Sequence, residues 1–225
     1  MLSPRKKLSR REIQEDSLVT TYLKIQKLFK QYERQFYYGL AALAAVVVVG
    51  FMMINSRKQS EKKAAADLAQ AEQYYYMEAW DSAVPELKKI ADRFGGTRAA
   101  ARASFFLGNI YYFRDSCDLA VRYFQKTLDR ASENNLFAAG SMTGIGACLE
   151  NQGRYEEAAG RYRQAAEKYS DLFSAPYYLL DAGRNFLSAG RKDKAVEVFQ
   201  KIIEDYPKSG AVEEAKLRFH ALQGG

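Results

Sequence analysis

The chain has 225 residues, 48% of them hydrophobic and 13% aromatic, and a formal net charge of +7. The charge is uneven: residues 1–35 hold nine Lys/Arg and four Asp/Glu, a net of +5, while residues 57–225 hold 25 against 23, a net of +2. The long C-terminal region is therefore close to neutral and has no basic stripe, which argues against nucleic-acid binding.

Residues 1–15 contain Arg5, Lys6, Lys7, Arg10 and Arg11, show no hydrophobic periodicity, and read as a disordered basic tail. From Asp16-Ser17, a fitting N-cap pair, a helical pattern runs over residues 16–35. Leu18, Tyr22, Ile25, Phe29, Tyr32 and Phe36 recur at alternating steps of four and three and form one stripe, with Lys24, Lys27, Lys30 and Arg34 around it. Such a helix lies on the inner leaflet, packs against a partner's helix, or simply leads into the apolar segment after it. Amphipathicity alone does not separate these readings.

Residues 36–54, FYYGLAALAAVVVVGFMMI, carry no charged or strongly polar side chain. At about 1.5 Å of rise per residue this run matches the roughly 30 Å hydrocarbon core of a bilayer. Helix is the expected form, because lipid offers backbone N–H and C=O groups no partners. Tyr37 and Tyr38 stand at the leading edge, where aromatic rings favour the water–lipid interface. A buried helix of a globular core seldom stays apolar on every face for so long. A cleaved signal would be shorter and would end in a small-residue site, whereas Asn55-Ser56-Arg57 come next here. A lipoprotein would need a cysteine just after the run, and the two cysteines are Cys117 and Cys148. The segment reads as an uncleaved transmembrane anchor.

Basic residues near the anchor tie: Lys24, Lys27, Lys30 and Arg34 before it, Arg57, Lys58, Lys62 and Lys63 after it. The tail's further basic residues tip the positive-inside rule toward a cytoplasmic N-terminus and an external large domain. Residues 55–63 read as a linker or helical stalk.

Residues 64–225 show no sustained alternation of apolar and polar residues, so the expected fold class is all-α. Four copies of one pattern repeat there. An alanine recurs at Ala83, Ala120, Ala158 and Ala195, and four residues later comes a large side chain, Leu87, Phe124, Tyr162 and Phe199. Upstream, Leu107-Gly108-Asn109-Ile110-Tyr111, Ile145-Gly146-Ala147-Cys148-Leu149 and Ala182-Gly183-Arg184-Asn185-Phe186 repeat a small-then-bulky motif. Each copy reads as two antiparallel helices. The turn is clearest at Gly153 and Gly190, because glycine takes the left-handed conformation that ends a helix. Gly108, Gly146 and Gly183 on the first helix are expected to face Ala120, Ala158 and Ala195 on the second.

This pattern resembles the tetratricopeptide repeat (TPR), whose W-x-x-L-G-x-x-Y…A-x-x-x-F…P motif is best matched by residues 177–207, ending Asp205-Tyr206-Pro207. The copies are longer than the usual ~34 residues, and the first has Gln70-Ala71 where Leu-Gly is typical. Residues 211–222 then form a capping helix. The resemblance implies a solenoid whose first helices line a concave face that holds peptides or partner helices. Glu72, Tyr75, Tyr76, Arg102, Phe105, Asn109, Tyr112, Phe113, Tyr177 and Arg184 are the candidate lining, in competition with packing between repeats. Phe105 stands where the carboxylate-holding clamp of some TPR domains would want a lysine.

No catalytic constellation is legible. His220, the only histidine, lies in the capping pattern without an orienting partner. Cys117 and Cys148 lack C-x-x-C spacing and read as small core hydrophobes, with a disulfide as the alternative in an oxidising compartment. The glycine-rich Gly140–Gly146 stretch follows no strand and has no P-loop lysine, so it reads as a small-sided helix. No enzyme activity, cofactor, metal or small-molecule substrate is expected.

The layout of basic arm, anchor and four repeats also resembles a group of bacterial envelope TPR proteins common in Bacteroidota and Chlorobi. The residues carrying the likeness are Leu18-Val19-Thr20-Thr21-Tyr22-Leu23-Lys24, Tyr178-Leu179-Leu180-Asp181-Ala182-Gly183 and 199–209. The architecture is similar to the YfgM-like proteins, which accompany the Sec translocon. That likeness implies an inner-membrane, single-pass protein with periplasmic repeats that bind protein partners, including exported polypeptides. The rival expectations are a structural subunit of a larger membrane complex and an envelope or division factor.

Overall fold

In the computed structural model, which describes residues 10–130 and 135–224, α-helix is the only regular structure among the described residues. The order is α1 (Arg10–Gln31), α2 (Glu33–Tyr76), α3 (Trp80–Arg93), α4 (Arg98–Phe113), α5 (Cys117–Arg130), α6 (Asn135–Asn151), α7 (Tyr155–Lys168), α8 (Ala175–Ser188), α9 (Lys192–Asp205) and α10 (Val212–Gln223). The chain divides into two units, Met1–Ser56 and Arg57–Gly225.

In the first unit, α1 already contains residues 10–15, which the sequence pattern assigned to a disordered tail, and Asp16-Ser17 fall inside the helix rather than at its cap. The rest of the expected tail, residues 1–9, lies outside the described residues. A bend at Tyr32 separates α1 from α2. Backbone bonds still run to and from it, Tyr32 N–H to Leu28 C=O at 3.0 Å and Phe36 N–H to Tyr32 C=O at 2.9 Å. The rings of Phe29 and Phe36 lie 4.9 Å apart. α2 contains a window long and apolar enough to cross a membrane, and none of that window is buried within the described structure.

In the second unit each helix from α3 to α9 packs on its successor, and α4 also packs on α6. The C-terminal part of α2 joins the same core through the fully buried Ala64 and Ala71 and through Leu68. The predicted hairpins are therefore α2/α3, α4/α5, α6/α7 and α8/α9, with α10 after them. Four like turns join the two helices of each hairpin. The left-handed residue is Glu78 (φ 56°), Asp115 (φ 53°), Gly153 (φ 72°) or Gly190 (φ 73°). Its N–H donates to the carbonyl three residues back, at 2.9 to 3.0 Å, and the next N–H reaches five back: Ala79 to Tyr74, Ser116 to Tyr111, Arg154 to Leu149 and Arg191 to Phe186, at 2.8 to 2.9 Å. This is the Schellman pattern, which satisfies carbonyls that the helix end would otherwise orphan.

Within each hairpin the small residues make room for a ring, and here the packing differs from expectation. A Cβ added at Gly108 would lie 2.5 Å from the Phe124 ring, one at Gly183 2.4 Å from the Phe199 ring, and one at Gly146 3.2 Å from Tyr162. The glycines thus face the large residue of the second helix, with no atom of the recurring alanine among the nearest. Gly144 presses on Phe124 from the next hairpin at the same 2.5 Å, and Gly140 meets Phe105 at 2.9 Å. The small-sided stretch of α6 is shaped by two phenylalanines of the preceding repeat.

The core falls into two clusters. One runs from Ala64 to Cys148 and the other from Ala158 to Ala215, with Leu149 packed against both. Pro85 lies inside α3, and Pro176 stands in the first turn of α8.

Candidate partner-binding site

The ten candidate lining residues separate according to what each already touches. Glu72 on α2 and Arg102 on α4 form an ion pair, Nε to Oε1 2.6 Å. The guanidinium also lies over the Phe106 and Phe137 rings, 5.6 and 5.3 Å from their centroids. Burial holds the Glu72 carboxyl above its usual range, against the pull of Arg102. Asn109 donates to the Tyr75 hydroxyl at 3.2 Å, and the Tyr75 ring lies 4.4 Å from that of Phe106. Phe105 packs against Phe106, Phe124 and Phe137, at 5.9, 6.1 and 5.2 Å between centroids. These five residues tie the first three hairpins together, so packing between repeats has their side chains engaged.

The adjacent pair Tyr112 and Phe113 is split. Tyr112 is half-buried against the core. Phe113, the last residue of α4, is 60% exposed and stacks on Trp80, centroids 5.6 Å apart and planes 13° apart. Arg114 extends the group, its guanidinium 5.9 Å from the Trp80 ring and 2.7 Å from Asp81. The result is an aromatic and charged cluster where the first two hairpins turn. Tyr76 is 67% exposed. Tyr177 is partly exposed beside Phe173, ring centroids 5.7 Å apart, and Arg184 is paired with Asp181 on its own helix.

Three residues of this surface were missed from the sequence. Trp80, the only tryptophan, is the partner of Phe113, and its place directly after a turn was the available signal. Phe173 is 83% exposed in the α7–α8 connection, next to an open cavity of about 410 Å³ lined by Leu172, Pro176, Tyr206 and Pro207. Glu150 accepts from the Tyr162 hydroxyl at 3.2 Å and from Asn185 Nδ2 at 3.0 Å, a polar node joining α6, α7 and α8. Burial and then the nearby carboxylates push the Tyr162 hydroxyl far above its ordinary range. Among the described residues no cluster of His, Cys, Asp and Glu suits a metal ion.

Repeated hairpins with one turn geometry, stacked through rings and cross-repeat ion pairs, define a helical-repeat scaffold for protein–protein interaction. Models of the tetratricopeptide repeat match residues 68–135, 114–172 and 149–210, more than half of the chain, and the chain belongs to that family. Similar solved structures include the MamA protein (20% identity, TM-score 0.54, covering 67% of this chain and 77% of that one). Another is PilF of Pseudomonas aeruginosa (20%, 0.55, 75% and 70%). A third is YrrB, described as a TPR protein with an unusual peptide-binding site (22%, 0.51, 68% and 74%). At these identities the likeness is one of fold. A comparison with curated proteins gives no match.

Proposed function

We propose that the chain is a membrane-anchored TPR adaptor of the bacterial inner membrane. Residues 36–54 span the bilayer, residues 1–35 stay in the cytoplasm, and the repeats stand in the periplasm and grip protein partners, including exported polypeptides near the translocon. The observation that carries this reading is the apolar window of α2, unburied within the described structure, in a chain whose repeats are a protein-binding scaffold. A core helix of a soluble protein would be mostly buried. Binding of a peptide, as the description of YrrB states for that protein, is the use proposed for the exposed aromatic residues here.

The gripping surface in this proposal centres on Phe113 and Trp80, because an exposed Phe113 ring stacked on the half-buried Trp80 beside Arg114 has the composition of an interface anchor. Replacing Tyr112 and Phe113 with Ala should weaken photocrosslinked capture of exported chains by at least roughly tenfold, as expected on losing an aromatic anchor. Circular dichroism checks that the helices remain. Full capture by a folded double variant assigns the grip elsewhere.

A second reading is favoured by the exposed stripe of Tyr22, Phe29 and Tyr32. Here the chain is a fixed subunit of a membrane complex. It would then co-purify with one partner at constant stoichiometry, and cysteines placed at these three positions would be shielded from a water-soluble maleimide.

A further inference from the structure

We propose that Cys117 and Cys148 are a modification site: an intramolecular disulfide that ties the second hairpin to the third. The inference concerns the repeats alone and stands apart from the membrane reading. The two thiols are free in this structure. They come from different helices, α5 and α6, which pack on each other, and both belong to the same hydrophobic cluster. The cavity walled by Cys148 is bordered by Asp118, the residue after Cys117.

Access makes the pair reactive rather than merely buried. Cys117 is half-buried and lines an open cleft of about 580 Å³ with Asp115, Ser116, Asn151 and Gln152. Cys148 is fully buried and forms part of the wall of a neighbouring cavity of about 460 Å³, next to Ile145 and Leu149. Asp118 and Gln152 border both spaces. A disulfide reagent entering from solvent therefore reaches Cys117 first. Burial, with the Cys117 thiol and the Asp118 carboxylate nearby, holds the Cys148 thiol well above its usual range, which keeps it a poor first nucleophile.

The co-reactant is a low-molecular-weight or protein disulfide, R–S–S–R. The Cys117 thiolate attacks one sulfur, forming Cys117–S–S–R and expelling RS⁻. Cys148 loses its proton to water, and its thiolate attacks Cys117 Sγ, expelling a second RS⁻. The protein's two thiols are oxidised, the reagent disulfide is reduced to two thiols, and the two protons end on the RS⁻ groups.

The test uses the full chain in detergent, incubated with glutathione disulfide. Both thiols should disappear from a denaturing thiol titration, with the intact mass lowered by two hydrogens and the chain still a monomer without reductant. The melting temperature should rise by on the order of 5 °C and fall back with dithiothreitol. In Cys117→Ser the buried Cys148 should stay a free thiol with no adduct. Three results would overturn the proposal: two thiols persisting in the wild type, a stable glutathione adduct on Cys117 beside a free Cys148, or disulfide-linked dimers.

Discussion

At the scale of the residue, the four hairpin turns ask for the same left-handed conformation from different side chains. Gly153 and Gly190 accept it freely, while Glu78 and Asp115 take it against their Cβ atoms. Glu78→Gly should stabilise the repeats by about 1 kcal/mol and Asp115→Gly by less, because Asp tolerates this region better than Glu. Gly153→Ala should lose about 1 kcal/mol on the same argument. Urea unfolding of the full chain in detergent, followed by far-ultraviolet circular dichroism, measures all three. The two glycine turns were legible in the sequence because glycine has few other reasons to stand between two helical patterns. The other two were not, since neither Glu78 nor Asp115 carries that mark and only their spacing from the glycines places them.

At the scale of the element, the glycines inside helices fall into two kinds that sequence does not distinguish. Gly108, Gly144 and Gly183 are pressed by rings to within 2.4 to 2.5 Å of where a Cβ would stand, whereas nothing lies within 4 Å of that point at Gly160 in α7. Gly183→Ala should therefore destabilise by about 1–3 kcal/mol through overpacking against Phe199. Gly160→Ala should stabilise by about 0.5–1 kcal/mol, since there only the entropic penalty of helical glycine changes. Thermal melts of the two variants should move in opposite directions. The repeat pattern disclosed that small and large residues alternate across the hairpin. It could not say that Phe124 lies between Gly108 of its own hairpin and Gly144 of the next, because the partner of a side chain depends on how two helices cross.

At the scale of the whole molecule, the proposal joins an apolar segment to a gripping surface. On that proposal the protein should stay in the membrane pellet through alkaline carbonate and enter solution only with detergent. Release by carbonate would remove the anchor from the account and leave the repeats as a scaffold of another setting. Fewer of the candidate residues are open to a partner than composition suggested. Of the ten candidate residues, Glu72, Tyr75, Arg102, Phe105 and Asn109 hold the first three hairpins to one another, while Tyr76 and Phe113 present most of their surface to solvent.

Sequence alone determined the helical class, the number and register of the repeats, and the unbroken apolar run, because each rests on periodicity and composition along the chain. Tertiary structure alone decided which rings fill the repeats and which stay open, and that two cysteines far apart in sequence share one patch of core. Those outcomes depend on the distance and angle between helices, which no local pattern encodes.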